Sequence, residues 1–247
     1  MKIDYVIKEI KKKKELKDLS EDFIKDRVNE YIKTRKIELS NLDERSGIYK
    51  TMFKEIRKIC FDSYGLFKSG KSLKTHISTK ERLNYYPVIY EKIFEIIGKP
   101  NKILDLGCGL NPLSYDFLGC NPEYYAVDLS ESELETVNNY FKENKIKGKT
   151  YCLDLLKLDY SALPKVDVAF LFKVLESLEN IHKNVSYTIL SKINSKWIVV
   201  SFSKKSITGK PIIKKGRSWL KRMLAELGYW YEVLDIGDEI FYIIKKS

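Results

Sequence analysis

The chain has 247 residues, 44% of them apolar and 13% aromatic, with only 12 Gly and 6 Pro; that composition excludes a disordered or collagen-like polypeptide and leaves room for one full domain with an appendage. A formal net charge of +11, from 45 basic and 34 acidic residues, favours a polyanionic partner such as nucleic acid or an acidic membrane surface. No apolar run of about 18 residues occurs, the start MKIDYVIKEIKKKK lacks a secretory pattern, and Cys60, Cys108, Cys120 and Cys152 form no CxxC pair, so the reading is a soluble cytoplasmic protein without membrane span, metal site or disulfide framework.

In chain order, residues 1–75 predict a small helical domain. Ile3, Ile7 and Ile10 recur at helical spacing, Ser20 caps a stripe of Phe23, Val28, Tyr31 and Ile32, and Met52, Phe53, Ile56, Ile59 and Cys60 form a third stripe. Asp62 to Thr75, with Gly65 and Gly70, reads as a linker, so a second domain is expected over 76–247. Ser78 to Glu81 is a capping box opening a helix to about Ile97, bent or locally irregular near Pro87. From Lys102 onward, strand candidates Ile103–Leu106, Tyr124–Val127, Thr150–Leu153, Val166–Phe172 and Ile198–Phe202 alternate with helical segments, most clearly Glu131–Glu143. This alternation predicts a parallel sheet covered on both faces. A helix near Ser218–Leu227 and two strands, Trp230–Leu234 and Glu239–Ile244, follow. The whole is an α/β, Rossmann-like, seven-stranded sheet of methyltransferase type, its final hairpin separating it from an ordinary dinucleotide fold.

Positive charge concentrates at the two flanks and the middle is nearly neutral. Residues 203–222 hold eight basic side chains and no acidic one, which is hard to explain as solubility alone because soluble surfaces mix the signs.

Three strand ends carry the chemistry. Ile103-Leu-Asp105-Leu-Gly107-Cys-Gly109-Leu-Asn111 ends a buried strand in an acid and then turns on two glycines, which let the backbone approach a ligand closely. The nicotinamide version wants a third glycine where this chain has Pro112. Asp105 suits a ligand with an amino-acid moiety, whose ammonium it can hold directly or through water. Asp128, ending the next strand, can accept from two ribose hydroxyls or cap the following helix. Asp154 ends the third strand, where a carboxylate can accept from an adenine amino group while Leu155 offers its backbone amide. Acids at three successive strand ends, converging at the carboxyl edge of the sheet, make S-adenosyl-L-methionine (SAM) the leading ligand.

His76-Ile-Ser-Thr-Lys-Glu-Arg82, then Gly-Cys-Gly-Leu-Asn-Pro-Leu113, then Val200-Ser-Phe-Ser-Lys-Lys-Ser-Ile-Thr-Gly-Lys210, together resemble the 16S ribosomal RNA (guanine-N7) methyltransferases of the aminoglycoside-resistance family. The resemblance implies a SAM-dependent enzyme acting on 16S rRNA in the assembled 30S subunit. It implies that His76, Ser78, Thr79 and Arg82 line the cofactor site, with Arg82 partnering the methionine carboxylate. Gly107 and Gly109 would lie under the cofactor, Asp128 with Leu129 would hold the ribose, Asp154 and Leu155 would face the adenine, and Phe172 would pack near its ring. The family usually shows Leu-Pro where this chain has Leu175-Glu176, and Phe-Pro where it has Phe202-Ser203.

Guanine N7 carries an unshared pair, so methylation there needs positioning and charge support but no base, and accordingly no catalytic acid or base is assigned. An amino-methylating enzyme would more often show an Asn/Asp-Pro-Pro-aromatic string where this chain reads Phe-Leu-Phe-Lys173. Lys173 can reach a phosphate or the guanine carbonyl, or pair with Glu176 or Glu179. Phe202 and Trp219 are candidates to stack on a flipped base. The RNA grip is expected to be electrostatic and distributed over Lys204, Lys205, Ser206, Lys210, Lys214, Lys215 and Arg217 together with the basic N-terminal region.

Overall fold

The strands form where β-branched and aromatic residues run together and are cut off by an acid or a glycine turn. A computed structural model describes residues 2–61, 82–205 and 217–246. Its first part is helical: α1 (Ile3–Lys11), α2 (Glu21–Arg35) and α3 (Gly47–Cys60). Val6, Ile10, Leu16, Phe23, Ile24, Val28, Met52, Ile56 and Cys60 from these elements form a core of their own. The expected boundary at 75/76 and the capping box at 78–81 lie outside the described residues.

The next helix, α4 (Tyr86–Ile97), opens with Pro87 in its first turn. The turn at 83–85, between helical Arg82 and this helix, is the irregularity expected near the proline; its missing N–H and fixed φ suit a helix start, where no intrahelical bond is lost. Tyr86, Tyr90 and Phe94 stack along one face, with centroids 5.6 and 6.0 Å apart, and bury against the sheet. Each such side chain contributes roughly 1.5–3 kcal/mol by leaving water.

The sheet comprises β1 (Lys102–Leu106), β2 (Glu123–Asp128), β3 (Gly148–Cys152), β4 (Val166–Phe172), β5 (Ser195–Ser203), β6 (Trp230–Ile236) and β7 (Glu239–Lys245). Their order is β3-β2-β1-β4-β5-β7-β6, parallel through β5, with β7 antiparallel between β5 and β6. Helices α5 (Glu131–Glu143), α6 (Leu175–Ile181), α7 (Val185–Lys192) and α8 (Ser218–Glu226) complete it. Two apolar clusters, one on each face, explain why β4 and β5 read as continuous hydrophobic runs. The order reverses between β1 and β4, which opens a crevice at their carboxyl ends. The glycine turn there leads into a 3₁₀ segment, Asn111–Leu118.

Close packing also fixes the start of β3. A Cβ on Gly148 would lie 2.2 Å from the Phe141 ring of α5. Gly148→Ala is therefore expected to destabilise the fold by about 1–3 kcal/mol, read from the urea midpoint at unchanged slope; an unshifted midpoint would contradict this packing.

Candidate functional site

The site grows from the β1 turn. The amides of Gly107 and Cys108 both donate to the Val127 carbonyl, at 2.8 and 3.0 Å, which ties the turn to the end of β2. Gly107 has φ +68, and a Cβ there would sit 2.6 Å from a Val174 methyl, so both torsion and space require glycine. Cys108 is a packed residue of this turn: burial, with Asp128 and Asp105 nearby, pushes its thiol well above its ordinary range, opposite to what a nucleophile needs.

Asp128 is held by three backbone amides. Its Oδ2 accepts from Gly109 at 2.8 Å, and its Oδ1 from Leu129 at 2.7 Å and Ser130 at 3.0 Å. The cap of α5 is Ser130, which accepts from the Glu133 amide, and Asp128 is left to brace the two loops. A carboxylate has about four lone-pair sites and three are taken, so Asp128 retains capacity for one further donor such as a hydroxyl.

Below this lies a buried polar cluster. Asp105, 1% exposed, accepts at Oδ2 from Asn111 Nδ2 (2.8 Å) and the Tyr124 hydroxyl (2.7 Å). Burial pushes its carboxyl up to about 6, against the pull of Asn111, Tyr124 and Arg82. Asn111 Oδ1 in turn accepts from Tyr86 (2.9 Å) and from Arg82 Nη1 (3.3 Å). Arg82 Nε donates to Glu239 Oε1 at 2.7 Å, and the guanidinium lies 5.1 Å from the centroid of the Phe172 ring. Glu239 also accepts from Ser201 Oγ at 2.7 Å and pairs with Lys173 at 3.2 Å. Two buried atoms of opposite charge, Arg82 Nη2 and Asp105 Oδ1, have no hydrogen-bond partner among the described residues. Buried polar atoms are rarely left so, and Asn111 bridges the two residues that carry them. The pair matches the carboxylate and ammonium of an amino-acid zwitterion.

The third acid, Asp154, accepts from the Leu156 amide at 2.9 Å and from Arg27 Nη2 of α2 at 3.2 Å. Burial raises its carboxyl while the Leu156 amide and Arg27 lower it. A cleft of about 350 Å³ lies here, lined by Ser20, Phe23, Leu129, Cys152, Asp154 and Lys157 among others. Leu155 is buried in the main core.

Other expected residues are placed differently. Phe202 is 2% exposed, edge-on to Trp219 and Tyr242, so its ring is core and does not present a stacking face. Arg217 is also buried, with Nη2 donating to Glu176 at 3.1 Å and to the Ser203 carbonyl at 3.4 Å; in place of a surface grip it braces this loop. Lys173 reaches Glu239, where Glu176 and Glu179 were weighed as partners. Lys204 pairs with Asp235 and Lys205 with Asp238 (2.9 Å), on the β6–β7 hairpin. His76, Ser78, Thr79, Ser206, Lys210, Lys214 and Lys215 lie outside the described residues. Asn111 and Glu239 were not singled out from the sequence. The only signals were the asparagine closing the glycine string and an acid opening an apolar strand.

Residues 62–243 match the family model described as "Ribosomal RNA methyltransferase (FmrO)". The chain belongs to the FmrO family of ribosomal RNA methyltransferases. A similar protein, the 16S rRNA (guanine(1405)-N(7))-methyltransferase of Micromonospora rosea, is 30% identical over 182 residues, 71% of this chain and 65% of the relative. The enzyme of that name from Proteus mirabilis is 28% identical over 183 residues, 71% of this chain and 64% of its own length. The chain thus spans just under two thirds of these relatives. Among solved structures, the 16S rRNA methyltransferase RmtF in complex with S-adenosyl-L-homocysteine has a TM-score of 0.82 at 20% identity, covering 99% of this chain and 98% of that one. The 16S rRNA methylase RmtB has a TM-score of 0.78 at 22% identity, covering 100% and 99%. These two likenesses establish the FmrO-type chain's fold, the helical region included. Among the described residues no helix is long and apolar enough to cross a membrane, and no cluster of three His, Cys, Asp or Glu is placed to hold a metal.

Proposed function

We propose that this chain is a SAM-dependent methyltransferase that modifies guanine N7 in 16S rRNA of the assembled 30S subunit and thereby confers aminoglycoside resistance on a cytoplasmic ribosome pool. The observation that carries the reading is the pair of unpartnered buried atoms, Arg82 Nη2 and Asp105 Oδ1, at the strand-order reversal of a chain from an rRNA methyltransferase family. The relatives' named activity supports the substrate, and the net charge of +11 suits a polyanion.

In this reading Arg82 binds the amino-acid carboxylate, Asp105 the ammonium and Asp128 the ribose, while Asp154 faces the adenine. When bound, SAM would supply an electrophilic methyl group, and because guanine N7 offers a lone pair and carries no proton, no base would be asked of the chain. The chain's task is then alignment and exclusion of water. Glu239 keeps Arg82 and Lys173 in fixed positions at the same edge, so that Lys173 stands beside the base pocket. The expected result is tritiated methyl transfer to 30S subunits and little to naked 16S rRNA, with primer extension after reductive cleavage stopping at one guanine. No incorporation into 30S subunits would overturn the reading.

A further inference from the structure

Helix α2 is docked on the two loops that this reading assigns to the nucleoside. The Ser20 amide donates to the Leu129 carbonyl at 3.2 Å, Leu19 and Ser130 form an isolated bridge, Asp26 pairs with Lys157 at 2.8 Å, and Leu129 and Leu156 pack into the helical core. In the middle of this contact Arg27 puts Nη2 3.2 Å from Asp154 Oδ2 and Nη1 3.2 Å from Glu30. Its side chain is 6% exposed, that of Asp154 12%. Docking alone does not call for this charge, because a buried ion pair can usually be exchanged for apolar side chains without loss of stability.

We propose that Arg27 is a positioning residue of the cofactor site, reaching from the helical N-terminal region to hold the Asp154 carboxylate in the orientation that receives the nucleoside. The inference rests on the cofactor reading above. Asp154 has one oxygen on the Leu156 amide and the other on Arg27, and these two bonds fix the carboxylate plane while leaving lone pairs for an incoming N–H donor. Without Arg27 the carboxylate is buried with one anchor, free to turn.

The test is calorimetry with S-adenosyl-L-homocysteine on the full chain, as a double-mutant cycle. Arg27→Met keeps the alkyl length against Phe23 and removes the charge; it is expected to weaken binding about tenfold, the scale of one charge-assisted hydrogen bond. In the Asp154→Asn background the same substitution is expected to change affinity less than about twofold, because there is no carboxylate left to aim. Arg27→Lys should fall between wild type and Arg27→Met, and it replaces Arg27→Met in the cycle should that variant fail to fold. Wild-type affinity in Arg27→Met, or a loss undiminished in the Asp154→Asn background, overturns the proposal, since a merely structural role gives additive losses. A wild-type protein that binds no S-adenosyl-L-homocysteine overturns the cofactor reading itself, and this inference with it.

Discussion

Glu239→Ala is expected to cost about 3–5 kcal/mol of stability and to remove methyl transfer altogether. Glu239 is 2% exposed and is the anion for two buried cations, Arg82 and Lys173, while also accepting from Ser201. Truncation leaves the buried Arg82 without its counter-charge and weakens the hold on Lys173, and Arg82, released from its Nε anchor, loses the orientation that the proposed cofactor reading requires of Nη2. Glu239→Gln keeps the shape and one acceptor, so it should fold better than the alanine variant and still bind S-adenosyl-L-homocysteine poorly. Urea unfolding and calorimetry on the two variants check this; a loss under about 1 kcal/mol in Glu239→Ala would mean that the network is solvated.

Affinity for S-adenosyl-L-homocysteine should fall about tenfold between pH 7 and pH 5, without loss of fold from the group responsible. Burial pushes the Asp105 carboxyl up to about 6, and in the proposed reading its ionised form receives the ammonium. The sign for stability is opposite to that for binding. A carboxyl whose folded value lies above its ordinary 3.8 contributes stability that is full below about pH 4 and is lost as the pH rises through about 6. Acidification from pH 7 to 5 therefore relieves the folded state at Asp105 while it disarms the site. Calorimetry across this range, with thermal unfolding in parallel, separates the two; in Asp105→Asn the binding curve should be weak and less steep, the remaining slope coming from Asp128, which burial and Glu133 also push up to about 6. A wild-type affinity that is level from pH 7 to 5 would remove Asp105 from the site.

Most of the sheet was legible because its signals are local. Each parallel strand is covered on both faces, so it appears as a short apolar run ended by an acid or glycine, and Val166–Phe172 and Glu131–Glu143 have the bounds their residues suggest. The glycine turn and the three acids at strand ends could be read for the same reason. Pro87 marked an irregularity without fixing its kind, since proline suits a helix start as well as it harms an interior; the chain makes a turn at 83–85 and starts a helix afresh. Glu239 and Arg27 could not be read. Glu239 meets Arg82 across 157 residues and Arg27 meets Asp154 across 127, and nothing in the neighbouring residues separates either from an ordinary surface charge. Phe202 misled because an aromatic near a basic stretch looks the same whether its ring faces RNA or the core, and only the arrival of Trp219 and Tyr242 beside it decides.

The placement of β7 has a consequence for biosynthesis. It is the last strand in sequence among those described, yet it is threaded between β5 and β6 and carries Glu239 to Arg82 and Lys173. A nascent polypeptide can gather its N-terminal helices early, since they have their own core, but the buried Arg82–Glu239–Lys173 network stays incomplete until the closing hairpin has left the exit tunnel. The network around Arg82 and Lys173 is therefore assembled only after residue 239 has emerged, and termination upstream of it would yield a partly assembled sheet lacking their shared anion, a species suited to rapid proteolysis.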